Sequence, residues 1–135
     1  MRQLSITTPK KIQGILCESY LDESGIFHIR SKGKLITSSE LEFDLKQIQD
    51  HLSKYSIKPP VLFDATNLPP LDKKIRKRFE QILNEMFSAL GVVSESKIGL
   101  MIANIFIALS KTEVPTKIFS HTMSAEVWLR NYRGH

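Results

Sequence analysis

The sequence predicts a mixed α/β fold, in which helices cover a mostly parallel sheet of four to six strands. First, short apolar runs typical of buried strands alternate with segments whose apolar residues recur every three or four positions, as in amphipathic helices. Such alternation requires crossover connections, which produce parallel strand pairs. Second, a turn sequence near the N-terminus separates two strand-like segments, which indicates an antiparallel hairpin at one edge of the sheet.

The hairpin and the first helix are predicted from residues 12–54. Residues 12–21 and 26–30 have strand character, and the turn between them contains Gly25, which tolerates positive φ. A second turn leads into the helix. Ser39 and Glu42 stand at capping-box spacing, and apolar residues then follow at helical spacing to about residue 54.

A buried strand and a long helix are predicted at the centre of the chain. The continuous apolar run 61–63 is typical of a buried strand, and it ends at Asp64. A loop of turn formers then leads to Asp72, a suitable N-cap for the next helix. We expect that helix to include Leu90, because Gly91 is a natural residue to follow a helix C-terminus.

The last part of the chain continues the alternation. Residues 97–102 are predicted to form a buried strand, 103–110 a short apolar helix and 117–119 a short strand. Ser120 is expected to cap a final helix. Four residues give that helix its inner face: Ala125, Trp128, Leu129 and Tyr132.

Composition bounds the class of protein. The 135 residues are 41% apolar and 24% charged, as is usual for a folded domain of this size, so we expect one domain over 1–135. Cys17 is the one cysteine, which excludes an intramolecular disulfide and a Cys-rich zinc site. The start lacks the apolar segment of a secretory signal, and no run approaches the ~18 apolar residues of a membrane span. A cytoplasmic location is therefore expected.

The motifs of common enzyme classes are missing from the sequence. It contains no glycine-rich nucleotide-binding motif and no G-x-S-x-G esterase motif. The four histidines, His28, His51, His121 and His135, do not stand at metal-ligand spacing. The polar cluster that could serve an enzyme is the loop 64–72. We expect no enzymatic activity, no cofactor and no metal site.

The segment 61–72, Val-Leu-Phe-Asp-Ala-Thr-Asn-Leu-Pro-Pro-Leu-Asp, resembles the centre of STAS domains, the fold of the anti-sigma-factor antagonists. In that family a hydrophobic strand ends in Asp, and a short loop leads to a second Asp at a helix start. The segments 102–106, 114–119 and 125–129 are similar to bacterial SpoIIAA-like proteins of unassigned function. The resemblance implies a SpoIIAA-like fold and a regulatory or protein-interaction module. The phosphorylatable serine that follows the second Asp in the antagonists is replaced here by Lys73, so the usual phospho-switch is not implied.

The loop after the central strand and the start of the next helix form the candidate recognition surface. Thr66 could accept a phosphoryl group, although a threonine in a turn more often bonds the local backbone. The carboxylates could likewise be structural, as a turn former and an N-cap. The lysines could contact an acidic partner, a phosphate or a lipid headgroup, or form a solvated helix face. The candidate partner- or anion-binding residues are Asp64, Thr66, Asn67, Asp72, Lys73, Lys74 and Lys77.

The apolar segment around 102–109 is the second candidate surface. A helix that is apolar around its circumference is buried in the core, in a dimer interface, or against a ligand or a membrane. Ile105, Phe106 and Leu109 are the candidate contacts with a second copy of the chain or with an apolar ligand. The alternative function is therefore a carrier of a small apolar or lipid-like molecule. A more distant resemblance to CRAL-TRIO domains, which include lipid carriers, also implies this function. The net charge of +5 permits nucleic-acid binding, but no recognition pattern supports it.

Overall fold

A computed structural model describes residues 10–56 and 58–133. The first nine residues, which we predict to lack a secretory signal, and His135 lie outside the described residues. Among the helices in the described ranges, none combines the length and the hydrophobicity needed to cross a bilayer.

The sheet of the described chain has six strands in the order in which they occur in the sequence. The strands are β1 (Ile12–Gln13), β2 (Cys17–Leu21), β3 (Phe27–Ser31), β4 (Val61–Asp64), β5 (Leu90–Val93) and β6 (Thr116–Phe119). The pairs β1–β2 and β2–β3 are antiparallel, and the pairs from β3 to β6 are parallel. The predicted fold class is therefore confirmed: a mixed, mostly parallel sheet with an antiparallel N-terminal hairpin.

Helices cover both faces of this sheet. They are α1 (Ser38–Leu52), α2 (Lys73–Met86), α3 (Lys97–Leu109) and α4 (Thr122–Leu129), which a short 3-10 turn follows. The larger core cluster joins one face of the sheet to α1, α2 and α3, and the smaller one joins the other face to α4. In β4, alternate side chains reach the two clusters, with Val61 in the larger and Leu62 in the smaller.

The N-terminal elements differ in detail from the prediction. The predicted strand 12–21 is interrupted at residues 14–16, where the chain turns and the Gly14 N–H donates to the carbonyl of Cys17. Helix α1 begins two residues earlier than predicted, because Thr37 is the N-cap. Its hydroxyl accepts from the Glu40 N–H and donates to the Glu40 carboxylate. The same capping-box spacing occurs twice in this stretch, and the helix uses the first one.

Three predictions in the second half of the chain are wrong. Helix α2 ends at Met86; residues 87–89, expected to continue it, form a connection, and Leu90 already lies in β5. Residues 97–102, expected as a strand, are the first turns of α3, whose N-cap is Ser96. An apolar run of that length does not distinguish a buried strand from a buried helix by periodicity. The last helix is capped by the backbone of His121, without a side-chain bond, and not by Ser120.

Candidate functional site

The loop after β4 is held by its own side chains. One Asp64 oxygen accepts from the Thr66 N–H at 3.0 Å and from the Thr66 hydroxyl at 2.6 Å. The Thr66 oxygen in turn accepts from the Glu95 N–H at 2.9 Å, which ties this loop to the one after β5. Asp64 Oδ1 and the Thr66 hydroxyl are thus engaged within the fold. Asn67 is exposed beside them, and its carbonyl accepts from the Ser31 hydroxyl.

Asp72 is the N-cap of α2, as the sequence predicts. Its carboxylate accepts from the Ile75 N–H at 2.9 Å, so it bonds a different turn from the one that holds Asp64. Lys73, Lys74 and Lys77 follow with exposed side chains, and none of them forms an ion pair with a described residue. Their role in binding a partner or an anion stays a prediction.

An apolar cavity of about 120 Å³ lies between the sheet and the inner faces of the first three helices. Its lining is almost wholly hydrophobic, apart from Cys17, Ser31 and Asp44 at the β2–β3 side. Protein interiors normally leave few voids larger than a water molecule, so this space is large for a domain core. The apolar side chains around it are Leu16, Ile29, Ile36, Leu41, Leu45, Ile48, Val61, Phe63, Ala65, Leu68, Leu71, Phe79, Ile82, Leu83, Phe87, Leu90, Val92, Ala103 and Phe106.

The cavity is not fully closed between α1 and α2. Ile29 and Phe63 lie in the middle of β3 and β4 and face the cavity, yet both are only half-buried. Phe79 on α2 is half-buried as well. The gap between the two helices is bridged by an ion pair, in which the Arg78 Nε donates to Glu42 at 2.6 Å and Nη2 donates to it at 2.9 Å. This exposed bidentate pair lowers the pKa of Glu42, chiefly through the hydrogen bond from Arg78.

Asp44 is a buried charged residue that sequence reasoning missed. It is 3% exposed, and its carboxylate accepts from the N–H groups of Ile15 and Leu16 at 2.7 Å and of Cys17 at 3.3 Å. A Cβ on Gly14 would collide with it. The signal was present in the sequence, because Asp44 stands on the apolar face of α1 and a charge there is expected to have buried partners.

The Cys17 thiol lies against this carboxylate. Burial raises its pKa to about 12, with the negative charge of Asp44 and their hydrogen bond acting in the same direction. A thiol of this kind is a poor nucleophile at neutral pH. The arrangement supports a structural role for both residues.

The structure separates the three predicted contact residues of α3. Phe106 is buried and lines the cavity, whereas Ile105 and Leu109 face outwards. Ile98 and Met101 share the outward face, so four large apolar side chains that are 46–65% exposed follow one another along the helix. We call these four residues the α3 ridge.

A second polar group lies on the opposite face of the sheet, beside α4. The His28 Nε2 is 2.7 Å from Asp22 Oδ2, and the Tyr20 ring stacks on the imidazole at 4.5 Å. Partial burial of Asp22 opposes its ionisation, but hydrogen bonds from His28, the Ile26 N–H and Ser24 outweigh that effect and lower its pKa to about 2. Sequence reasoning placed His28 only as a half-exposed strand residue.

Comparison with solved structures supports the fold. The chain is similar to an uncharacterized protein of the DUF3478 family with a SpoIIAA-like fold from Shewanella loihica PV-4. The two share 19% identity at a TM-score of 0.58 over 93% of this chain and 99% of the other. At this identity the similarity establishes the fold alone.

A protein of unknown function from Arthrobacter sp. FB24 matches at 19% identity over 82% of this chain and 90% of its own, with a TM-score of 0.31. A comparison with curated protein sequences returns no match. Residues 20–133 match the family described as domain of unknown function DUF7793. Since that match spans most of the chain, the protein belongs to the DUF7793 family.

Proposed function

We propose that the chain is a non-enzymatic binding module that holds a small apolar ligand in the cavity beneath α1 and α2. The observation that carries this proposal is the apolar space of about 120 Å³ in the larger core. Apolar cavities of this kind stay dry and bind apolar molecules when these can enter. A void without an occupant costs stability, because the side chains around it lose contacts.

The size of the cavity limits the ligand. An engineered apolar cavity of about 150 Å³ accepts benzene, so a space of about 120 Å³ suits a small aromatic ring or a short aliphatic chain. A longer acyl chain would require α1 and α2 to separate. The half-buried Phe63 and Phe79 mark the gap through which the ligand would enter.

The proposal is tested by titrating the purified protein with 1-hexanol and with toluene in a calorimeter, and by thermal unfolding with and without each compound. A ligand at 100 times its Kd stabilises the folded state by about 2.7 kcal/mol. The matched variants are Ala103→Leu, which fills the cavity, and Ala108→Leu, which adds the same volume to the exposed side of the same helix. We expect the first variant to lose binding and the second to keep it.

Val61→Ile adds one methyl group to the cavity wall. This smaller change keeps the test valid if Ala103→Leu fails to fold. It should weaken binding in proportion to the volume lost. The proposal is wrong if neither compound binds, or if binding survives unchanged in both cavity-filling variants. Native mass spectrometry of the protein as purified would show a natural occupant as an added mass that denaturation removes.

The α3 ridge favours a second candidate function, a regulatory interaction module that acts as a homodimer. The ridge residues are arranged almost symmetrically about the middle of α3, between Ile98 at one end and Leu109 at the other. Two antiparallel copies of the helix would therefore place Ile98 on the partner's Leu109 and Met101 on the partner's Ile105. Such self-complementarity is what a two-fold interface requires.

The charges at the rim of this interface predict how dimerisation depends on salt. Lys97 and Lys111 flank the ridge, so an antiparallel dimer would bring like charges together at both ends. Sedimentation equilibrium should show a dimer that tightens as salt rises, because salt screens this repulsion. Ile105→Lys should give a monomer, whereas Met123→Lys, at an exposed apolar position of α4, should not change the association. A monomer at all protein and salt concentrations would exclude the dimer.

A further inference from the structure

Three potential metal ligands from three separate elements meet beside the hairpin. Asp22 follows β2, His28 lies in β3, and Glu126 lies in α4. One ligand atom of each residue lies within 4.8 Å of those of the other two. All three side chains are half-buried, so this group is neither a solvated surface patch nor part of the sealed core.

Asp22 is held in position for this role. Its Oδ1 accepts from the Ser24 N–H and hydroxyl, both at 2.8 Å, and from the Ile26 N–H at 3.0 Å. The other oxygen, Oδ2, is thereby directed at His28 Nε2. The Tyr20 ring lies almost parallel to the imidazole, with an interplanar angle of 3°, and restrains its rotation. Such support by neighbouring groups is what fixes ligand geometry in metal sites.

The two negative charges in this group favour the binding of a cation. Two carboxylates converge with one imidazole, and within residues 10–56 and 58–133 no Lys or Arg forms an ion pair with Asp22 or Glu126. Half-buried carboxylates that approach each other repel unless a positive charge lies between them. A bound divalent ion would supply two positive charges between the carboxylates.

We propose that Asp22, His28 and Glu126 bind one divalent transition-metal ion of the zinc class. Imidazole nitrogen with carboxylate oxygen suits Zn²⁺ and its first-row neighbours, and excludes the purely oxygen-ligated Ca²⁺ and Mg²⁺ as first choices. Ligand atoms around tetrahedral Zn²⁺ lie roughly 3.3 Å apart, so the side chains need only rotamer-scale adjustment. Three protein ligands leave a fourth position for water or for a group of a partner.

A purely structural role for the group makes a different prediction. If the Asp22–His28 hydrogen bond serves only to clamp the hairpin, Glu126 has no part in it. Glu126 reaches the other two from a distant element and has no hydrogen-bond partner for its side chain among the described residues. The variant Glu126→Gln therefore separates the two roles, because it keeps the shape of the side chain and removes the charge.

The test uses full-length, tag-free protein that has been stripped with a chelator and then titrated with ZnCl₂ in a calorimeter. We expect one equivalent of Zn²⁺ to bind, and one equivalent of Co²⁺ to give the absorption of a tetrahedral site. Loss of even an indirect partner costs 10–100-fold in metal affinity, so His28→Gln and Glu126→Gln should each weaken binding at least about tenfold. His121→Gln, an exposed histidine at the start of α4, is the control and should bind as the original protein does.

Thermal unfolding in chelator shows whether each variant is folded. If His28→Gln is unfolded, Glu126→Gln decides, since its position on α4 is partly exposed. The proposal is overturned if neither Zn²⁺ nor Co²⁺ binds at one equivalent. It is also overturned if folded Glu126→Gln binds as tightly as the original protein, or if His121→Gln loses binding to the same degree.

Discussion

Arg78 on α2 grips both carboxylate oxygens of Glu42 on α1, with Nε donating at 2.6 Å and Nη2 at 2.9 Å. The two residues are 36 positions apart in the sequence, and they connect the helices whose inner faces line the cavity. A bidentate pair of this geometry is more specific than a single ion contact. Because it joins these two helices at the surface, we expect this ion pair to affect how readily a ligand enters the cavity.

Glu42→Gln should change ligand exchange more than it changes stability. An exposed ion pair contributes at most about 1 kcal/mol to the free energy of unfolding, so the variant should unfold at nearly the same urea concentration. With the bridge weakened, α1 and α2 separate more often, and an apolar probe should enter and leave faster at an almost unchanged Kd. Fluorobenzene is a single ring that suits the cavity, and ¹⁹F exchange NMR with this probe measures both rates.

Lys46 and Asp50 provide the control for this experiment. They form an exposed pair within α1 and do not bridge to another helix. Asp50→Asn should leave both rates unchanged. Equal rates in Glu42→Gln and the original protein would show that the bridge does not control access.

Asp44→Ala should destabilise the fold by about 2–4 kcal/mol, because buried N–H groups at residues 15–17 lose their acceptor. The free energy of unfolding from urea titration measures this loss. Asp50→Ala, at an exposed position of the same helix, should change it by no more than about 0.5 kcal/mol. A loss below about 1 kcal/mol for Asp44→Ala would mean that water replaces the carboxylate without strain.

Local chemistry was sufficient to predict the features that depend on nearby residues. The turn with Gly25, the strand end at Asp64 and the cap at Asp72 follow from hydrogen bonds that span two to four positions. The alternation of apolar runs was sufficient to predict the parallel sheet. These contacts are specified by neighbours in the sequence, so no knowledge of distant residues was needed.

Tertiary packing decided the features that were missed. Gly91 was interpreted as a helix end, but it lies in β5, where a Cβ would press on the Leu129 side chain of α4. Glu126 joins Asp22 and His28 only after the chain has crossed the whole sheet. The cavity is likewise a gap between distant elements, and no single segment encodes it.

Gly99→Ala tests a close approach between α3 and the loop after β4. Gly99 is buried in the first turn of α3, and a Cβ there would overlap the carbonyl oxygen of Ala65. Alanine favours a helix over glycine by about 1 kcal/mol, so propensity alone predicts stabilisation. We expect the opposite, because the backbone at Ala65 or in α3 would have to move. The free energy of unfolding should fall by more than about 2 kcal/mol, or the variant should fail to fold. Asn104→Ala, exposed on the same helix, is the control and should stay within about 0.5 kcal/mol in urea titrations.

Cys17 should resist alkylation in the folded protein. With a pKa of about 12 instead of 9.0, only about one thiol in 10,000 is ionised at pH 8, compared with about one in ten in the unfolded chain. The reaction with iodoacetamide, followed by mass spectrometry, should therefore be about a thousandfold slower in buffer than in urea, and burial slows it further.

The pH dependence of this rate identifies its cause. A thiol with the ordinary pKa of 9.0 is half ionised at pH 9, so its rate levels off above about pH 10, whereas the Cys17 rate should keep rising about tenfold per pH unit to about pH 11. Asp44→Asn removes the negative charge beside the sulfur, so its folded fraction should react faster at pH 8, because the pKa of Cys17 falls. A plateau of the rate near pH 10 in the original protein would contradict the raised pKa of Cys17. An unchanged rate in folded Asp44→Asn would leave burial alone as the cause.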